Sequence, residues 1–219
     1  MKIMKVNVKV GPVDKDSTDV LVLLHCEGAG FSQDDAAPVD HALGGALTEL
    51  LKSKEFEGKA AETALLHTHR KIPAKRVLLV GLGKTTSVGL DTIRQALGYA
   101  VKRVRQAKAT TFTVTVPAIV PKGSSPSDVA QAMVEGAILG SYQFNEYRSE
   151  RGAGHDVDFM MLSARDKAEL RDLAEGVRRG TATAEATIFV RDLCNHPSNV
   201  MTDRKSTRLN SSHIPLSRM

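Results

Sequence analysis

Asp19-Val20-Leu21-Val22-Leu23-Leu24-His25-Cys26 is an unbroken apolar run of strand length, followed at once by Glu27-Gly28-Ala29-Gly30. A strand without alternation is one covered on both faces, which in a single sheet means helices above and below it. Arg76-Val77-Leu78-Leu79-Val80-Gly81 repeats the signature most clearly. Thr111-Phe112-Thr113-Val114-Thr115-Val116 repeats it in β-branched form, and Pro117 closes it. Val157 to Leu162 predicts a further strand, Glu62 to His67 a short one, and Lys2 to Val10 an alternating one ended by Gly11-Pro12. Helical patterns lie between these strands. Pro38 to Lys54 carries Val39, Leu43, Leu47, Leu50 and Leu51 on one side and reads as one helix with Gly44-Gly45 inside it. From Asp91, a plausible N-cap, Ile93, Leu97, Ala100, Val101 and Val104 mark a second helix; Ser124 to Ser127 leads into a third through Val129, Met133, Ile138 and Leu139. Strands alternating with helices predict an α/β fold with a mixed sheet flanked by helices.

The longest helical run extends from Asp166 to Asn195. Leu170, Leu173, Val177, Thr181, Ala184 and Ile188 give it one apolar stripe, with Arg171, Glu175, Arg178, Arg179 and Glu185 mostly to the sides. Pro197 stops it, because the residue before a proline is driven out of helical geometry. A helix this long leaving a finished domain reads as a linker. The expected organisation is an α/β domain over 1–165, a linker helix and the start of a further domain over 166–203, and a non-native tail over 204–219. That tail, Arg204 to Met219, has no apolar periodicity and resembles translated adapter or vector sequence.

A chain of 219 residues with 42% hydrophobic content suits one soluble globular domain, alone or with a fragment of a second. No apolar run is long enough to cross a bilayer, so no membrane partner is expected. Met1 to Val6 alternates like a strand and lacks a signal-peptide core, and Cys26 and Cys194 read as reduced thiols of a cytoplasmic protein. The net charge of +5 includes four cations in the acid-free tail, without which it is +1. That balance gives no reason to expect a nucleic-acid partner.

Several motifs invite chemistry, and each has a plainer reading. Gly81-Leu82-Gly83-Lys84-Thr85-Thr86 ends like a phosphate loop, but position 78 is Leu where that loop needs glycine, and Thr86 breaks a G-x-G-x-x-G. A strand-to-loop turn is the plainer account. His67-Thr68-His69 places two imidazoles on one face if the backbone is extended, yet no local acid or cysteine completes a metal set. Cys194 and His196, two apart on a helix, point to nearly opposite sides. Asp34-Asp35 reads as a polar loop, and Asp156 with Asp158 flanks a strand start. Lys102, Arg103, Arg105 and Lys108 crowd a helix C-terminus, where the dipole favours cations. A Ser-His-Asp triad has no G-x-S-x-G elbow to anchor it.

Arg191-Asp192-Leu193-Cys194-Asn195-His196-Pro197-Ser198-Asn199-Val200-Met201-Thr202 resembles the interdomain segment of the leucyl (cytosol) aminopeptidase family, close to A-R-D-L-x-N-x-P-x-N-x-x-T-P. Arg76 to Lys84, and Val134-Glu135-Gly136-Ala137 with Tyr142-Gln143-Phe144, agree with the same family, and the resemblance runs over roughly residues 1 to 203. The departure comes at Arg204, where the family begins a new helix after Thr202. The resemblance implies a macro-domain-like, mostly parallel N-terminal domain and a linker helix, cut before the catalytic domain. It implies that the intact protein removes N-terminal residues from peptides with two divalent ions, zinc or manganese, as a cytoplasmic homo-hexamer. The family's metal ligands lie beyond the interdomain segment, so no catalytic, metal or binding residue transfers to this chain, and the fragment is expected to be inactive. The alternative it implies is a binding module for ADP-ribose, a nucleotide or DNA. Gly28, Gly30 and the Gly81-Leu82-Gly83 stretch are then where a phosphate would approach the backbone.

Overall fold

The computed structural model describes residues 3–31, 36–117, 119–147 and 156–197. Six strands form one sheet: β1 (Lys5–Val10), β2 (Val20–Glu27), β3 (Thr63–His67), β4 (Arg76–Lys84), β5 (Thr111–Thr115) and β6 (Phe159–Ala164). Their order is β1-β6-β5-β2-β4-β3. Every neighbouring pair is parallel except β3 with β4. The mixed, mostly parallel sheet is therefore the expected one.

The unbroken apolar runs explain where the core sits. On β2, Val20, Val22 and Cys26 enter one buried cluster while Leu21 and Leu23 enter another across the sheet. On β4, Leu78, Val80 and Leu82 divide from Val77 and Leu79 in the same way. Each such side chain contributes about 1.5–3 kcal/mol by leaving water. The first cluster is roofed by α3 (Leu90–Gln106), α4 (Pro126–Ser141) and α5 (Lys167–Asn195), the second by α1 (Ala36–Ala42) and α2 (Ala46–Lys52).

The helix expected over Pro38–Lys54 is two helices. Gly44 and Gly45 turn the chain through the left-handed region, with φ of 74° and 84°. Asp40 then caps α2 from α1: its Oδ1 accepts from Leu47 N at 2.7 Å and Thr48 N at 3.1 Å, and its Oδ2 from the Thr48 hydroxyl. The first turn of α3 also differs from expectation. Gly89 holds the cap position, its N–H donating to Thr92 Oγ1 at 3.3 Å. Asp91 lies inside the helix, accepting from Arg94 and Gln95.

α4 is the buried centre of its layer, between α3 and α5. Close approach needs small residues at both crossings. A Cβ on Gly136 would overlap the Arg94 carbonyl oxygen of α3, and one on Gly176 of α5 would overlap that of Ser127 on α4. Buried Glu135 of α4 takes Arg94 Nε at 2.9 Å, which neutralises it. The line that α5 buries is Leu173, Gly176, Gly180, Ala184 and Ile188, whereas Leu170, Val177 and Thr181 of the expected stripe are half-buried. The helix read as a departing linker thus packs along α4 and reaches β1 and β6. It begins at Asp166, whose carboxylate caps Glu169 N at 2.8 Å, and ends with His196 extended ahead of Pro197.

Candidate functional site

Because β2, β4 and β5 are parallel neighbours, their C-terminal ends come to one edge, where open α/β sheets hold ligands. A cleft of about 80 Å³ lies there, lined among others by His25, Cys26, Ala29, Leu82, Thr115 and Pro117. His25 is 6% exposed, with its ring 4.9 Å from that of Phe31 and 6.0 Å from that of Phe56. Burial pushes its imidazole pKa down, against a backbone hydrogen bond with Ala29 that favours the charged form. Its Nε2 is buried without a hydrogen-bond partner. Cys26 is buried on the opposite face of the sheet, and burial pushes its thiol up despite a hydrogen bond with the Thr85 side chain. A thiol kept protonated is a poor nucleophile, and among the described residues no carboxylate lines the cleft. The described lining is mostly apolar and surrounds an imidazole that burial keeps from charging.

The Gly81-Leu82-Gly83 stretch is not the turn expected of it. It continues β4 to Lys84. The segment around Gly58–Ala60 lies directly on it: a Cβ on Gly81 would overlap the Lys59 carbonyl oxygen. Gly81 N donates to Glu62 O and Gly83 N to Gly58 O, both at 2.9 Å, so neither amide is free for a phosphate. Gly28 and Gly30, by contrast, are exposed with open space where a side chain would stand.

The other candidates do not converge. β3 ends at His67; Thr68 is buried and His69 has φ 51°, so the extended backbone assumed for His67-Thr68-His69 stops at its first residue. The two rings nevertheless lie 6.3 Å apart. Cys194 is exposed, whereas His196 turns to Tyr147, with 2.7 Å between Nδ1 and the phenol oxygen. Asp158 sets the register of the β1–β6–β5 end through its backbone, accepting from Lys5 N and donating to Thr110 O. Asp34-Asp35, Ser198 to Thr202 and the 204–219 tail lie outside the described residues. In the basic cluster at the end of α3, Arg105 donates to Gly140 O, Arg103 to Gln106, and Lys102 stands over the Tyr99 ring. Among the described residues no three His, Cys, Asp or Glu gather as metal ligands.

Two features escaped the sequence reading. Asp19, ahead of β2, accepts from Lys75 Nζ at 2.6 Å, from Thr110 N at 3.1 Å and from Thr111 N at 3.3 Å. Burial alone would raise its pKa, but these donors outweigh it and bring the carboxyl to about 2. The two motifs that carried the family resemblance also touch. Tyr142 donates to Asp192 Oδ1 at 2.7 Å and accepts from Asn195 at 3.0 Å, with Arg191 over its ring. Contacts fifty residues apart leave no trace in one sequence.

The model of the cytosol aminopeptidase family, N-terminal domain, matches residues 21–151. The probable cytosol aminopeptidase of Alkaliphilus oremlandii is 34% identical over 200 residues, which are 91% of this chain and 40% of that protein. That of Roseiflexus castenholzii is 34% identical over 201 residues, 91% of this chain and 38% of it. The chain thus spans about 40% of the length of these curated relatives. Among solved structures, the bottromycin maturation enzyme BotP in complex with Mn superposes with a TM-score of 0.64 at 25% identity, covering 89% of this chain and 36% of that one. A tomato leucine aminopeptidase mutant gives 0.73 at 19% identity, over 96% of this chain and 43% of that one. An Oceanobacillus iheyensis macrodomain gives 0.60 at 15% identity, over 81% and 93%. These last two likenesses show the fold alone, and it is the macro-domain-like one. With its family model laid over β2 through α4 and its relatives matched along nearly its whole length, the chain belongs to the cytosol aminopeptidase family, whose N-terminal domain it carries.

Proposed function

We propose that this chain is the non-catalytic N-terminal part of a longer metalloaminopeptidase that removes N-terminal residues from peptides. The match of the family's N-terminal model over residues 21–151 carries this reading. In it, residues 1–165 are the α/β domain, 166–203 the connection to the catalytic domain, and 204–219 a tail foreign to the protein. Two divalent ions, zinc or manganese, belong to the catalytic domain, and no residue of this chain is assigned to hold them. The complete protein is read as a cytoplasmic hexamer, and the chain by itself as inactive. Replacing the matching N-terminal stretch of the Alkaliphilus oremlandii protein with residues 1–197 tests the assignment. The chimera is expected to fold and release leucine from a leucine amide; a folded but inactive chimera, or one that fails to fold, counts against it.

A binding role at the strand-end edge is the second reading, supported by the open backbone at Gly28 and Gly30 beside the cleft. Calorimetry with ADP-ribose tests it, and no heat of binding removes it.

A further inference from the structure

Residues His67 to Lys75 close the hairpin between β3 and β4 and line a shallow, open concavity. The loop separates anchors from displayed groups. Thr68, Ile72 and Ala74 are buried, and Thr68 Oγ1 reaches the Ala74 carbonyl at 2.6 Å and that of Lys75 at 3.1 Å. Lys71 N closes the turn onto Thr68 O at 3.0 Å. Every other side chain of the nine apart from Pro73 carries a basic nitrogen, and all of these are exposed: His67, His69, Arg70, Lys71 and Lys75. No acid interrupts them. Lys75 is paired with Asp19, but Lys71 Nζ donates to the neutral carbonyl of Leu43 at 3.1 Å and has no acidic partner among the described residues.

The backbone sets the direction in which two of these groups leave the loop. His69 and Arg70 are consecutive residues in the left-handed region, with φ of 51° and 64°. Arginine is uncommon there, histidine less so, and Lys54, Ala61 and Lys108 adopt the same region elsewhere in the fold. Backbone outliers held by their surroundings gather at ligand clamps. Here the outliers are the residues that aim an imidazole and a guanidinium outward.

We propose that this loop binds a small anion carrying more than one phosphoryl group, of the polyphosphate or nucleotide class, at the end of the sheet opposite the strand-end cleft. The Arg70 fork suits one phosphoryl bidentately, with Lys71 as a nearby point charge. The His67 and His69 rings, 6.3 Å apart, offer N–H donors to the next. The small span of the site argues against a nucleic-acid track, which strings its cations along many phosphates.

Inorganic tripolyphosphate titrated into the purified chain tests this, followed by calorimetry and by the ring resonances of His67 and His69. Saturable binding that shifts both rings is expected, weaker by roughly tenfold in Arg70→Ala. The affinity falls as salt rises from about 50 to 200 mM. Arg70→Gly separates function from folding: it relieves the φ strain and raises the melting temperature while weakening binding as Arg70→Ala does. Arg103→Ala, at the end of α3, leaves the affinity unchanged. Absence of saturable shifts at His67 and His69 overturns the proposal, as does wild-type affinity in both Arg70 variants. An oligonucleotide that displaces tripolyphosphate from these residues and binds far more tightly overturns the small-ligand assignment in favour of a nucleic-acid one.

Discussion

His25 is held neutral by its burial, and that makes it a pH-dependent weakness. In the unfolded chain the imidazole takes a proton near its ordinary value of 6.5, whereas in the fold burial lowers that value. Unfolding is therefore favoured by proton uptake below about pH 6.5, and stability falls as the pH drops through that region. The orphaned Nε2 costs about 1–3 kcal/mol at any pH. His25→Leu is expected to hold or raise the urea midpoint at pH 7 and to flatten its fall between pH 7 and 5. An unchanged pH slope contradicts this. Asp19 behaves with the same sign at lower pH. Its carboxyl, brought to about 2, stabilises the fold above the ordinary value of 3.8, and that contribution is lost as the pH falls through 2. Asp19→Ala is expected to cost about 2 kcal/mol at neutral pH by stripping donors from a charged acceptor. The difference from wild type should shrink at the acid end of a series of denaturant melts; a constant difference contradicts the charge as its cause.

At the scale of elements, the helix layer depends on where Cβ atoms are missing. Gly136→Ala forces an overlap between α4 and the Arg94 carbonyl, and is expected to cost about 3 kcal/mol or more. Gly98→Ala, on α3, meets only the Gly136 oxygen at 3.7 Å. It should be neutral or stabilising by up to about 1 kcal/mol through helix propensity. Thermal melts of the two variants check the contrast, and equal costs contradict the packing account. The same elements show what one sequence can and cannot tell. Val20–Leu23 and Val77–Val80 were legible because two-sided burial leaves no polar position. The split between α1 and α2 was not, since Gly44-Gly45 looks the same whether a helix tolerates it or turns on it. Gly81 and Gly83 carry turn identities but serve β4, and their reason, the backbone of Gly58–Ala60, lies more than twenty residues away.

The whole molecule follows the α/β reading, with strand order left open by the pattern. β1 pairs with β6, 154 residues further along the chain, and no local signal specifies that neighbour. The Arg191–Asn195 motif was legible as a family mark, while its contacts with Tyr142 appear only in three dimensions. Of the candidate edge, the sequence showed the buried strand and its glycine loop; the seat of His25 between Phe31 and Phe56 depends on long-range packing. In the proposed role this α/β domain positions a catalytic part and performs no peptide hydrolysis itself. The most direct test of that role is the rate of leucine release from a chromogenic leucine amide by the purified 219-residue chain, with manganese or zinc added. A rate indistinguishable from buffer is expected. Metal-dependent release that survives repurification of the chain would contradict it.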